Sequence, residues 1–223
     1  MRIFKIDYKN PDPRLIKKAA RIIKAGGIVV VPTHTVYGIL GDSLNKKVVQ
    51  KILKLKKRGE DRRFDLTLYP VEKIFRYVEF NPLIPKIIEK FSEQPLSFGL
   101  PKKKLFPAYL SPGFKTNAFH FFFSKIDEEL FKYIDAPVIG TSANISELPD
   151  TSSIDEVADY FRHTFGSSLE PDLILDAGKL KKRKPSAIIE LVGENIKVIR
   201  SGDLSKGDLQ KELEEIKKYK NNQ

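Results

Sequence analysis

"DPRLIKKAARIIKAGGIVVVPT", Asp12 to Thr33, carries a helix and a strand in direct succession. Asp12 is a helix N-cap, able to accept from an orphan N–H of the first turn. Pro13 fits the first helical position, where its missing N–H removes no intrahelical bond. Leu15, Ile16, Ala19, Ile22 and Ile23 recur at helical spacing, and Gly26 supplies the stop. "GIVVVPT" then reads as a short apolar strand, buried on both faces. A helix running straight into such a strand predicts a layered α/β structure.

The rest of the chain continues the mixture. "RIFKID" reads as a strand, and "NKKVVQKILKLKKR" as an amphipathic helix with Val48, Val49, Ile52, Leu53 and Leu55 inward. "DLTLYP", "PLSFGLP", "TNAFHFFF", "APVIGTSAN" and "DLILDAG" read as strands. "PLIPKIIEKF", "DEELFKYI" and "SIDEVADYF" read as helices. "SAIIEL" and "IKVIR" flank the turn "VGEN", so part of the sheet is antiparallel. A charged helix closes the chain, with residues 216–223 expected to fray. The expected fold class is α/β: a twisted mixed parallel/antiparallel sheet flanked by helices. A single domain over residues 1–223 is expected, with no repeat or linker.

Composition narrows the classes. Of the 223 residues, 41% are hydrophobic, enough for a packed core. The formal charge is 40 − 29 = +11, which favours polyanionic partners such as nucleotides or RNA, or simply a well-solvated surface. No cysteine is present, which excludes disulfides, thiolate metal sites and a cysteine nucleophile. No apolar run approaches the roughly 20 residues that span a bilayer, and the start does not resemble a signal peptide. A cytoplasmic protein without membrane contact is expected. P-loop, dinucleotide-binding and nucleophile-elbow motifs are missing. His34, His120 and His163 are too dispersed for a local metal motif, so no metal is assigned to protein side chains.

Four segments carry candidate chemistry. In "PTHTVYG", strand periodicity would put Thr33, Thr35 and Tyr37 on one face, a row of hydroxyls suited to a small polar ligand. The same residues are also ordinary strand formers. "KKRGEDRR", Lys56 to Arg63, clusters groups that can clamp phosphates or merely solvate a loop. "GTSANIS", Gly140 to Ser146, places small polar groups at a strand end, where α/β sheets bind ligands, or serves as a turn and helix cap. In "KPSAIIELVGENIKVIRSG", Ser186 opens a hairpin and Arg200 closes it; ordinary hairpin chemistry accounts for both equally.

In this order and at these spacings, the segments resemble the YrdC-like family, the threonylcarbamoyl-adenylate synthases. That family's PT-[DE]-T-x-YG-L, K-x-R-P, P-G-P-x-T, S-A-N-x-S-G, Ser-Thr-Val-Val and Arg-Pro-Gly segments read here as "PTHTVYGIL", "KKRGEDRR", "EQPLSFGLP", "GTSANIS", "PSAIIEL" and "VIRSG". The resemblance implies a fold with a concave basic groove. It implies a nucleotidyltransferase that makes threonylcarbamoyl-AMP and pyrophosphate from L-threonine, bicarbonate and ATP with Mg2+. Downstream transferase proteins then carry the group to tRNA as threonylcarbamoyladenosine, and family members have been linked to double-stranded RNA. Larger members carry an additional C-terminal domain, for which this chain is too short.

Carried over residue by residue, the resemblance assigns Thr33, Thr35, Tyr37, Thr67, His120 and Ser186 to the threonine side. Lys56, Arg58, Arg62, Thr116, Asn144, Ser152 and Arg200 fall on the ATP side. Lys56, Arg58, Ser142 and Asn144 are the catalytic set. The departures are specific: His34 replaces an acidic residue, Ser97 a threonine, and His120 the arginine expected to bind the threonine carboxylate. Imidazole cannot copy a bidentate fork. A guanidinium reaching that space, from Arg62 or Arg63 for example, would restore the carboxylate partner. The alternative is a divergent relative that binds nucleotide or double-stranded RNA without threonine-dependent activity.

Overall fold

The computed structural model describes residues 2–34, 36–91, 94–121, 124–165, 169–181 and 186–220, without the side chains of 163–165 and 219–220. The strands are β1 (Arg2–Lys5), β2 (Val29–Pro32), β3 (Tyr37–Asp42), β4 (Asp65–Thr67), β5 (Leu96–Pro101), β6 (Thr116–His120), β7 (Val138–Ser142), β8 (Leu173–Asp176), β9 (Ala187–Val192) and β10 (Asn195–Arg200). The helices are α1 (Pro13–Lys24), α2 (Lys46–Leu55), α3 (Leu83–Lys90), α4 (Lys125–Phe131), α5 (Ile154–Phe165) and α6 (Lys206–Lys220).

α1 forms as its sequence predicts. The Asp12 carboxylate accepts from Arg14 N at 2.8 Å, and Gly26 takes a φ of +84° just past the last turn. Ile16, Ala19, Ala20 and Ile23 are buried, with Leu15 and Ile22 packed at their margin. α2 is capped by Asn45 and buries Val48, Val49, Ile52, Leu53 and Leu55. Each such aliphatic side chain contributes about 1.5–3 kcal/mol on full burial.

The ten strands among the described residues join one mixed sheet in the order β1-β8-β2-β3-β7-β4-β6-β5-β9-β10. β1–β8, β2–β8, β4–β6 and β5–β9 pair in parallel, and the expected β9–β10 hairpin is antiparallel. The sheet is therefore mixed and flanked by helices, as the sequence predicts.

One expectation is corrected. "PTHTVYG" is not one strand. β2 ends at Pro32, the chain reverses, and β3 runs back antiparallel with Pro32 opposite Tyr37. Thr33 closes the reversal, donating from N (3.0 Å) and Oγ1 (2.6 Å) to the Val36 carbonyl. Thr35 lies outside the described residues. The C-terminal helix α6 continues to Lys220. Leu209, Leu213 and Ile216 lie on one face of α6 and are buried, and the helix packs against α3 and β10.

Alternation along β3 separates the two sheet faces. A Cβ on Gly41 would lie 2.7 Å from Val48 and 2.9 Å from Ile52, so the face carrying Tyr37, Ile39 and Gly41 is covered by α2. Gly38 and Leu40 point the other way, and a cavity opens there.

Candidate functional site

The cavity measures about 460 Å³, within the range of small-molecule sites. Small residues make the room. A Cβ on Gly140 would sit 3.0 Å from Thr67 Oγ1, and one on Gly38 would sit 2.9 Å from Thr33 Cγ2. Ala118 continues this low floor on β6. Around it stand three arginines, Arg58, Arg63 and Arg200, and three aspartates, Asp65, Asp127 and Asp150. The wall is therefore mixed in charge.

Each arginine is held differently. Arg58, one turn beyond α2, donates from Nη2 to the Arg63 carbonyl at 2.7 Å and lies over the Phe64 ring. Its Nε is buried and has no hydrogen-bond partner among the described residues. Burial, with Arg62 nearby, lowers its pKa from the usual arginine value. Arg63 donates from Nη1 to Thr116 Oγ1 (2.7 Å) and Glu190 Oε1 (3.0 Å). The Thr116 hydroxyl, also bonded to Glu190, and Arg63 keep that carboxyl below its ordinary range. Arg200 donates from Nε to the Ser186 carbonyl at 2.8 Å.

At the other end of β6, His120 pairs in register with Thr67 on β4 and Ser97 on β5. Its ring stacks on His34 with centroids 5.4 Å apart. Ser97 Oγ lies 3.4 Å from His120 Nδ1 and donates to Asp65 Oδ2 at 2.7 Å. Burial drives the Asp65 carboxyl above its ordinary range, against the pull of His120, Ser97 and Arg200. Burial raises Asp127 too, although its Oδ2 caps α4 by accepting from Ser124 N (2.8 Å) and Oγ (2.6 Å).

Of the residues singled out from sequence, Thr33, Thr67, His120, Ser142, Ser186, Arg58 and Arg200 come together on this cavity. Others do not line it. The buried Tyr37 phenol donates to the Gly178 carbonyl at 2.7 Å and accepts from Ala177 N at 3.0 Å. Lys56 is 3% exposed; its Nζ donates to Ser142 O (2.6 Å), Asn144 O (3.0 Å) and Asn144 Oδ1 (3.0 Å). Burial and the Arg58 guanidinium push its ammonium down to about 7, while the three oxygens act to keep the proton on. Asn144 is thus a brace: its Oδ1 also accepts from Ser142 Oγ, and its Nδ2 donates to Leu148 O.

Ser152 is buried, with its N donating to Glu156 Oε2 at 2.6 Å just ahead of α5. Thr116 supports Arg63 from behind. Arg62 does not replace the missing arginine: its side chain is 61% exposed and pairs with Glu147 at 3.5 Å. Nor does Arg63, which is held at Thr116, four residues or about 13 Å along β6 from His120.

Asp65, Asp127 and Asp150 line the cavity without having been placed there from sequence, and Arg63 lines it while held at Thr116, away from His120. Asp65 had one cue, a charged residue beginning an otherwise apolar short strand. Among the described residues, no group of three or more His, Cys, Asp or Glu is placed to hold a metal, and no helix is long and apolar enough to cross a membrane.

A mixed sheet with a polar cavity over its glycine-lined face defines an α/β ligand-binding domain. A family model described as "Telomere recombination", for the Sua5, YciO and YrdC proteins, matches residues 21–202, and the chain belongs to that family. A relative from Methanocaldococcus jannaschii is 31% identical over 206 residues, covering 90% of this chain and 93% of its own length. The threonylcarbamoyl-AMP synthase of Pyrococcus abyssi is 28% identical over 203 residues, covering 91% of this chain. This chain spans 58% of that protein's length. The crystal structure of P. abyssi Sua5 complexed with L-threonine superposes with a TM-score of 0.81 at 26% identity, covering 95% of this chain and 60% of that one.

Proposed function

We propose that this chain is an L-threonylcarbamoyladenylate synthase. The observation that carries the reading is convergence. Thr33, Arg58, Ser142, Ser186 and Arg200 come from five separated segments of the family pattern, and they line one cavity. The relatives named for this activity and the threonine-bound neighbour support the same reading.

The chemistry suits the wall. The amine of L-threonine adds to CO2 derived from bicarbonate, giving a carbamate. A carbamate oxygen then attacks the α-phosphorus of ATP, and the bond to the leaving pyrophosphate breaks. Two anions must be brought together, so positive charge and positioning carry the rate. Arg58 is suited to the phosphates: it is anchored through one Nη, and its buried Nε has no partner among the described residues. Lys56 acts indirectly, fixing the Ser142–Asn144 backbone that forms one wall. Mg2+ arrives with the triphosphate as part of the substrate. The product feeds threonylcarbamoyladenosine formation on tRNA through transferase partners, in the cytoplasm.

A second reading draws on His120, which stands where the family arginine is expected, and on the +11 charge. It is a relative that binds nucleotide or double-stranded RNA without using threonine. The two are separated by supplying L-threonine, labelled bicarbonate and ATP-Mg2+. Labelled threonylcarbamoyl-AMP in the mass spectrum is the expected result. ATP binding without that product would overturn the synthase reading.

A further inference from the structure

We propose that Asp65 and Arg200 hold the two charged groups of the amino-acid ligand, with the ammonium on Asp65 and the carboxylate on Arg200, which takes Arg200 from the ATP side, where the resemblance puts it, to the threonine side. The proposal deepens the synthase reading and rests on its assignment of an amino acid to this cavity. It supplies what position 120 lacks.

Asp65 has an unmet bond. Its Oδ2 accepts from Ser97 at 2.7 Å, but Oδ1 is buried without a hydrogen-bond partner among the described residues. A buried acceptor left this way is costly, and a charged one more so. An ammonium donor from the cavity satisfies it. Asp127 is less available, because its carboxylate already caps α4.

Arg200 is set for the complementary group. It stands opposite Ile188, Ile188 opposite Ser97, and Ser97 opposite His120, so one row crosses β10, β9, β5 and β6. The bond from Nε to Ser186 O fixes the fork. Its two Nη nitrogens have no hydrogen-bond partner among the described residues. Arg200 and Asp65 both line the cavity, and the charge of each favours the charged form of the other. A guanidinium and a carboxylate on the wall of one cavity offer partners for the two opposite charges of an α-amino acid. A guanidinium also grips a carboxylate with two donors, as an imidazole cannot.

The test is calorimetry on the full chain with ATP-Mg2+ present. The probes are L-threonine, L-threoninol (no carboxylate) and 2,3-dihydroxybutyrate (no amine). The wild type is expected to bind each truncated ligand at least 10-fold more weakly than threonine. Asp65→Asn is expected to weaken threonine at least 10-fold while leaving 2,3-dihydroxybutyrate unchanged. Arg200→Gln is expected to weaken threonine at least 10-fold while leaving threoninol unchanged.

Threoninol or dihydroxybutyrate binding as tightly as threonine would overturn the assignment, and needs no variant. So would equal losses for every ligand in either variant. If pyrophosphate forms but both variants keep the wild-type KM for threonine, the pair is wrong and the synthase stands. If threonine binds in the expected pattern but no pyrophosphate forms, the synthase is wrong and the pair stands. Absence of threonine binding removes both.

Discussion

Lys56, just past the end of α2, donates to the backbone carbonyl of Ser142 at 2.6 Å across 86 residues of sequence. With the two Asn144 oxygens, this makes the ammonium a buried clamp on the end of β7. Lys56→Ala leaves three acceptors facing a void. The expected loss is about 3 kcal/mol, a fall of roughly 6–12 °C in melting temperature for a chain of this size. Denaturant and thermal unfolding check this. Wild-type stability with lost activity would instead make Lys56 a direct phosphate ligand.

Tyr37→Phe separates structure from site. The lost hydroxyl strands the Gly178 carbonyl and the Ala177 N–H, which should cost about 1–3 kcal/mol. The phenol faces away from the cavity, so the KM for threonine is expected to stay within twofold. A tenfold rise in KM at unchanged stability would place Tyr37 back in the threonine wall.

Asp65 gives the pH prediction. Its carboxyl titrates above its unfolded value because burial disfavours the charge. In that window the folded state binds more protons than the unfolded one. Its stability contribution is therefore complete below about pH 4 and declines as pH rises through the raised folded value. Asp65→Asn removes this titration. Its melting temperature relative to wild type, without added ligand, should climb as pH rises above about 4 and level off once the pH has passed the raised folded value. A pH-independent difference would mean that Asp65 is not strained by burial.

Much of the fold was legible. Asp12, Pro13 and Gly26 bracket α1, apolar spacing marks the inward face of α2, and "VGEN" marks the β9–β10 hairpin. The reversal at Thr33–Val36 was not legible, because threonine, valine and tyrosine in alternation look like strand whether or not the chain turns. The site was legible as a set of segments, not as a set of directions. The motif pattern located Lys56, Asn144, Thr116 and Ser152 near the cavity, but side-chain direction depends on packing partners far away in sequence. Conversely, Asp65 is no more than a charge opening a short strand until β4, β5 and β6 are brought together around it.

Gly140→Ala tests the floor. The added methyl would meet Thr67 Oγ1 at 3.0 Å and project into the space between β7 and β4. Threonine affinity is expected to fall at least 10-fold, with the melting temperature within about 5 °C of wild type, since the strain is modest. Unchanged affinity would show that the amino acid sits elsewhere.

The most direct test of the central claim is the threonine dependence of pyrophosphate release from ATP-Mg2+ in bicarbonate buffer. The account predicts release that saturates with L-threonine and vanishes when threonine is omitted. Release that ignores threonine, or none at all from protein shown to bind ATP, would contradict it.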